Sequence, residues 1–460
     1  MPQLLAGAAQ VDITPSLGTH LSGSVGEHRP AKDIWDPLFA KAAVLESAGR
    51  RICLLALDTT IVTADYTRRV RDGAAALGLA PDDVMVHATQ THSAPSLGHF
   101  MVDPDFPPVP DEFEWVRGAE ASYGDWAANR AVECIRLAIE ALEPVEIGAG
   151  SAIEGRWAFN RRAVTRDGGI LMPPPVWMGG DVGPTDIRYI EGPMDPELGV
   201  LCLRRADHSI AALIANYTCH PVHVFPRPCV SADWPGALAD GLRDAYGDPC
   251  VPIVTNGACG NINPWPPFDP DYVEDHRAMG AALATRARAA VDSVEFAADA
   301  VIDARIRRVP LPLRELSDDE LAWAEGILEA NPTPTWVDEE RIRIDADWMA
   351  AASIFSVHLA RQRGPELEYE IQALRIGDAA FVGLPGEPFV EAGLKIKLDS
   401  PTHPTYIVHC TSEYVGYIPT REALQRGGHE VNTRYWAKLK PEALDIVTDG
   451  ATDLLREIFA

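Results

Sequence analysis

Residues 51–60, RICLLALDTT, and residues 83–89, DVMVHAT, flank the segment TADYTRRVRDGAAALGL at 63–79. The two outer runs are short and almost continuously apolar instead of alternating, the pattern of strands buried on both faces. The segment between them has helical spacing of its apolar positions. Strand, helix, strand in this order indicates an α/β chain. The same signature returns at GVLCLRR (199–205), AALIANYTC (211–219), PCVPIVTNG (249–257), YEIQALRIG (369–377), AAFVGLPG (379–386) and TYIVHCT (405–411). Helical patterns stand at 121–142 and 235–247. The expected fold is therefore α/β, with mixed β-sheets flanked by helices.

No internal repeat and no low-complexity linker divides the 460 residues, so a single domain over 1–460 is expected. A helical insertion is expected at about 312–365. Ser317 and Glu320 make a capping box there, and ANPTP (330–334) stops the first helix. Residues 101–115 and 165–193, rich in Pro, Gly and Trp, are expected as long surface loops forming rims or lids.

The formal net charge of −27 disfavours nonspecific binding to nucleic acid or anionic membranes, because the summed field repels phosphates. MPQLLAGAAQVDITP has no basic start and no long apolar core, so no secretory signal is expected. No run of 18 apolar residues suggests a transmembrane helix. Eight scattered cysteines without a CxxC pair are expected as buried, reduced thiols of a cytoplasmic protein.

Four segments carry chemistry: TQTHSAP (89–95), NYTCHPVHV (216–224), LPGEPF (384–389) and SEYVGYIPTREA (412–423). Each follows an apolar strand, where α/β folds place their sites. Imidazole and carboxylate are zinc donors, and a catalytic zinc site keeps one position open for water. If the strand ending near Ala88 continued, Gln90 and His92 would share a face and His87 would point away. Single histidines at strand ends commonly serve as hydrogen-bonded structural residues, so spacing alone does not decide for a metal.

The ordered motifs VDITPSLGTHLSG, IWDPLFAKAAVL, ATQTHSAPS, FNRR, CHP, SADWPG, NGACGNINP, LPGEPF and GYIPTREA resemble the neutral/alkaline ceramidase superfamily. The likeness is to its N-terminal catalytic domain and covers nearly the whole chain, without the C-terminal immunoglobulin-like domain. The resemblance implies a zinc-dependent amide hydrolase with one ion. By position its ligands fall on Gln90, His220, Glu387 and Tyr417, with His92 beside the metal.

Gln90 departs from the family's histidine. Three arrangements are compatible with it: His92 moves onto the metal, Gln90 ligates through its amide oxygen, or the metal is lost. Imidazole is the better zinc ligand, so the expected metal set is His92, His220, Glu387 and Tyr417. A second departure is Asn263, in CGNINP, at the position of the family's catalytic serine. An amide is no nucleophile, but it donates hydrogen bonds to an oxyanion, so Asn263 is expected to line the pocket.

Arg161 matches a family arginine and suits an oxyanion or a substrate carboxylate. The expected catalytic set is Asn263, Arg161, Tyr417 and His92. Gln90, Trp177, Trp265 and Asp233 are candidates for contact with substrate, although Asp233, two residues before Pro235, equally suits a helix start.

These features together lead to a metal-dependent hydrolase of the resembled superfamily, with zinc as the expected ion, that cleaves an amide or ester in a small soluble molecule by metal-activated water. Ceramide itself is not expected as substrate, nor a nucleic-acid or membrane partner; homo-oligomer formation is open. A lactone or glycoside-type hydrolase on the same scaffold, or a non-catalytic binding or sensor protein, are the alternatives.

Overall fold

The computed structural model describes residues 3–172, 186–267 and 272–460. Trp177, expected to stack on substrate, lies outside the described residues.

Eight strands make the larger sheet, in the order Val251–Asn256, Ile210–Tyr217, Glu197–Arg205, Glu143–Ile153, Leu5–Asp12, Phe39–Ser47, Arg50–Leu57, Val84–Ala88. Its middle is antiparallel, and both outermost pairs are parallel. Each parallel pair needs a crossover, because a hairpin cannot join strands that run the same way. Helix Ala64–Ala75 supplies one and helix Asp233–Tyr246 the other. The segment at 51–89 thus forms the strand–helix–strand unit its pattern predicts, with Cys53 opposite Val84 and Leu57 opposite Ala88.

A second sheet orders Ile302–Pro312, Glu366–Ile376, Ala379–Gly383 and Thr405–Val408, the last pair parallel and linked through helix Val390–Asp399. The two sheets face each other. Ile52, Leu54 and Ala56 of the first join Leu374, Phe381 and Tyr406 of the second in one buried cluster. The alternate residues Cys53, Leu55 and Leu57 turn the other way, into a cluster with Ala127, Ala131 and Ile135 of helix Ala121–Glu140. Burial on both faces explains why the strands read as unbroken apolar runs.

Contact between the sheets is close. The Tyr406 hydroxyl donates to the carbonyl of Val200 at 2.8 Å, and Asn216 Nδ2 donates to Ile407 O at 2.8 Å. A Cβ at Gly199 would lie 2.2 Å from Tyr406 Cε1. Gly199→Ala is therefore expected to destabilise the protein by about 1–3 kcal/mol, the usual cost of overpacking. A denaturant midpoint equal to that of the parent chain would refute this account of the sheet contact.

The helical pair between Ile302–Pro312 and Glu366–Ile376 is Asp318–Ala330 with Ala346–Arg363. Ser317 Oγ accepts from Glu320 N at 3.2 Å, and Glu320 Oε2 accepts from Ser317 N at 2.9 Å, as the capping box requires. Residues 101–115 form the expected surface loop in part: Pro104, Asp105, Pro107, Pro108 and 110–112 are exposed, but the segment is anchored inward. Met101, Val102, Phe106, Phe113 and Trp115 are buried, and the buried carboxylate of Asp103 accepts from Arg363 Nη1 at 2.7 Å. Its buried aromatic side chains and Asp103 tie it to helix Ala346–Arg363, while its prolines stay at the surface. In 165–193 the described part adds Ile170–Leu171 and Ile187–Ile190 to a three-stranded antiparallel sheet with Ala163–Thr165.

All eight cysteines are free and buried. Among the described residues no helix is long and apolar enough to cross a membrane.

Candidate functional site

The C-terminal ends of the parallel strands converge on one place. Gln90 and His92 follow Val84–Ala88, and His220 follows Ile210–Tyr217. Glu387 follows Ala379–Gly383, and Tyr414 and Tyr417 follow Thr405–Val408. Asn256, the last residue of its strand, ties three of these ends together. Its Oδ1 accepts from Cys219 N at 3.2 Å, its Nδ2 donates to Thr89 O at 3.1 Å, and its carbonyl accepts from His409 N at 3.0 Å. A short parallel ladder then sets Glu387 opposite Tyr417. Gly260 lies against that ladder: its N–H donates to Pro388 O at 3.0 Å, and a Cβ there would be 2.4 Å from Glu387 O.

His220 and Glu387 form the centre. His220 Nδ1 is 2.7 Å from Cys259 O, a carbonyl that only accepts, so this nitrogen carries the proton. Nε2 lies 3.0 Å from Glu387 Oε2, within hydrogen-bond distance. Tyr414 donates its hydroxyl to the other carboxylate oxygen at 2.7 Å. Burial works to raise the Glu387 carboxyl, but the hydrogen bond and charge of His220, with Tyr414 and Arg161, outweigh it. The group is held well below the usual carboxylate range. A buried carboxylate beside an imidazole nitrogen is a pair that a proton, or one metal cation in its place, can bridge. A histidine whose far N–H is held by a carbonyl is the usual form of a metal ligand.

Gln90 has φ +68°, a left-handed conformation uncommon for a residue with a side chain. The strand stops at Ala88, so strict alternation does not apply beyond it. Gln90 and His92 nonetheless both reach the cavity, as the face argument expects. The amide oxygen of Gln90 accepts from the Cys259 thiol at 3.6 Å. His92 lies edge-on to His220, ring centroids 5.6 Å apart, and Arg29 Nη2 donates to its carbonyl at 2.6 Å. Burial, then the charge of His220, pushes the His92 imidazole down to about 3, so it is neutral near pH 7. His87 points away: its Nδ1 meets His409 O at 2.6 Å and its Nε2 accepts from Asn256 N at 3.1 Å, which satisfies both nitrogens.

Tyr417 is held from behind. Its hydroxyl accepts from Arg161 Nη2 at 3.2 Å, while Arg161 Nη1 donates to Asn263 Oδ1 at 3.2 Å and Nε to Glu430 Oε1 at 2.8 Å. Burial opposes the charge of Arg161, but Tyr417 and Glu430 outweigh it and keep the guanidinium ionised. Glu430 also accepts from Arg162 Nη1 at 2.7 Å, and Arg162 is ion-paired with Glu191. Burial, then Glu387, raises the Tyr417 phenol well above its ordinary value, so it keeps its proton.

A cavity of about 60 Å³ lies in front of these groups, lined by Gln90, His92, Glu387, Tyr414, Tyr417 and His429, with Phe100, Met101 and Trp436 as apolar walls. Three expected contributors are placed elsewhere. Asn263 is buried and is not among the cavity's walls; its Oδ1 accepts from Arg161 Nη1 at 3.2 Å. Asp233 is the first residue of its helix, where its carboxylate accepts from Trp234 N at 2.7 Å and Val224 N at 2.9 Å and lies 3.4 Å from His223 Nδ1. Trp265 is half-buried and outside the cavity's walls. Among the described residues, no three His, Cys, Asp or Glu side chains are grouped so as to hold a metal ion. The expected trio His92, His220 and Glu387 is therefore not drawn into a cage, and the formed pair is His220 with Glu387.

Against solved structures, the chain superposes on the crystal structure of neutral ceramidase from Pseudomonas aeruginosa with a TM-score of 0.71 at 19% identity, over 99% of this chain and 75% of that one. The fold is that of neutral ceramidase. A structure described as ceramidase complexed with C2 matches equally, with a TM-score of 0.70 at 19% identity, over 99% of this chain and 76% of that one. No family model matches the chain, and no curated protein matches it either.

Within this ceramidase fold several site residues carried no local signal. Glu430 pairs with arginines 269 and 268 positions away. His429 and Trp436 reach the cavity from a loop without a motif. The one available hint for Glu430 was the doubled arginine of FNRR, since two adjacent guanidinium groups that become buried require carboxylates.

Proposed function

We propose that the chain is a zinc-dependent hydrolase that cleaves an amide or ester bond in a small substrate. The observation that carries this is the His220–Glu387 pair: Nδ1 is held by a backbone carbonyl, and Nε2 lies 3.0 Å from an ionised carboxylate oxygen. His220, Glu387, Tyr417 and His92 would hold the ion. A divalent metal bound there polarises a carbonyl and makes water nucleophilic near neutral pH.

The chain's own groups supply the rest. Tyr417 accepts from Arg161, so its own O–H remains to donate to the oxygen on which charge develops. His92 is neutral, so its imidazole would have a lone pair to give to the ion. Phe100, Met101 and Trp436 exclude bulk water, which strengthens these contacts. Asn263 offers no nucleophile, in accord with direct attack by water. Eight free, buried thiols support a reducing, cytoplasmic setting.

The test is turnover of a panel of short amides, esters and lactones by zinc-supplemented protein. Amide or ester cleavage that stops with a chelator and returns with Zn²⁺ is expected. Lactone cleavage alone would favour the alternative substrate class, and no cleavage of any class would end the hydrolase assignment.

Gln90 and His92 separate in the same assay. Gln90→Ala removes a partner of the Cys259 thiol and is expected to keep metal while losing about 10- to 100-fold in kcat, as loss of an outer partner does. His92→Ala is expected to lose metal. The reverse pattern would make Gln90 the ligand.

A further inference from the structure

The catalytic cavity opens on a larger hollow. Val25, His429 and Trp436 line both the cavity and a vestibule of about 340 Å³, so these three side chains form the neck between them. Ile344 and Met349 give the vestibule an apolar wall, and two arginines, Arg343 and Arg434, stand in it. They differ in their partners. Arg343 is ion-paired with Asp338 at 3.4 Å. Arg434 donates Nη1 to Thr433 O at 2.7 Å and has no carboxylate at ion-pair distance among the described residues. Burial, with no neighbouring charge to offset it, lowers its pKa. The only carboxylate on the vestibule's walls is Glu27.

A half-buried cation without a counter-ion is costly, and in a chain of net charge −27 acidic side chains are plentiful. Leaving Arg434 unpaired beside the reaction site makes sense if a ligand completes it. A guanidinium matches a carboxylate in a planar, two-point contact. The cavity beyond the neck, at about 60 Å³, holds only a few non-hydrogen atoms.

We propose that Arg434 receives a carboxylate of the substrate in this vestibule, and that the substrate class is a short-chain N-acyl derivative of an apolar amino acid. The acyl end enters the cavity, the side chain lies on Ile344, Met349 and Trp436, and the carboxylate meets Arg434. The substrate class rests on the hydrolase reading; the anion receptor stands on the vestibule alone.

The experiment is ligand-observed NMR on the zinc-supplemented full chain, with N-acetyl-L-leucine and the uncharged N-acetyl-L-leucinamide. Signals of the intact probe report binding, and released acetate in the same tube reports hydrolysis. Wild type should bind the carboxylate about 10- to 100-fold more tightly than the amide, the scale of a hydrogen bond to a charged group. Arg434→Gln should erase that difference and leave binding of N-acetyl-L-leucinamide unchanged, and Arg434→Lys should keep part of it. Equal affinities in wild type, no binding of either probe, or a preference that survives Arg434→Gln would each overturn the receptor. A preference without acetate release would uphold the receptor and count against the hydrolase reading.

Discussion

On the proposed zinc-hydrolase reading, Glu387→Ala should abolish metal binding and lower turnover by more than the about 10- to 100-fold that loss of an outer partner costs. His220→Ala should do the same. Both follow from the pair geometry: with Glu387 removed, His220 Nε2 faces no anion, and with His220 removed, the carboxylate keeps only Tyr414. Neither change should unfold the chain, because two packed sheets and their helices make up the core. Glu387→Gln sharpens the test. It keeps the shape and an oxygen for Tyr414 but removes the charge, so metal binding should weaken while far-ultraviolet circular dichroism stays unchanged. Full metal occupancy and full rate in either alanine variant would remove that residue from the ligand set.

The second large effect is structural. Glu430→Ala should destabilise the protein by about 3–5 kcal/mol, the cost of removing one partner from a buried ion pair. Its carboxylate joins Arg161 at 2.8 Å and Arg162 at 2.7 Å, and all three side chains are buried. Arg162 would retain Glu191, but Arg161 would keep only Asn263 and Tyr417. Burial raises the Glu430 carboxyl and the charges of Arg161 and Arg162 lower it, leaving it at about 2 against an ordinary 4.5. A carboxyl depressed on folding stabilises above its unfolded value and loses that contribution as pH falls through its folded value. Stability should therefore fall with acid between about pH 4.5 and about pH 2 in the parent chain. In Glu430→Gln this component should be missing. Unfolding free energies measured against pH for both proteins check this; parallel curves would contradict it.

Much of the fold was legible because its strands are buried on both faces. Runs such as RICLLALDTT have no polar face to blur their limits, and a crossover helix must separate parallel partners. The positions of Gln90, His220, Glu387 and Tyr417 were legible from ordered motifs, each just past a strand end. What lies behind them was not. The carbonyl of Cys259 that fixes the His220 proton is backbone, with no residue type to announce it. Asn263 was expected at the pocket wall, but the Arg161 guanidinium stands between it and Tyr417, and only the fold brings residues 161, 263, 417 and 430 together. The left-handed turn at Gln90 had no glycine to signal it. The prolines of 101–115 signalled a surface loop, but not that Phe106, Phe113 and Trp115 would anchor it inward.

The central claim is that His220 and Glu387 face each other because a metal ion belongs between them. Elemental analysis of protein purified without added metal tests it most directly, repeated after dialysis against Zn²⁺. One equivalent of a transition metal, chiefly zinc, is the predicted result, lost in His220→Ala. Less than about a tenth of an equivalent, with no uptake from added Zn²⁺, would contradict the claim.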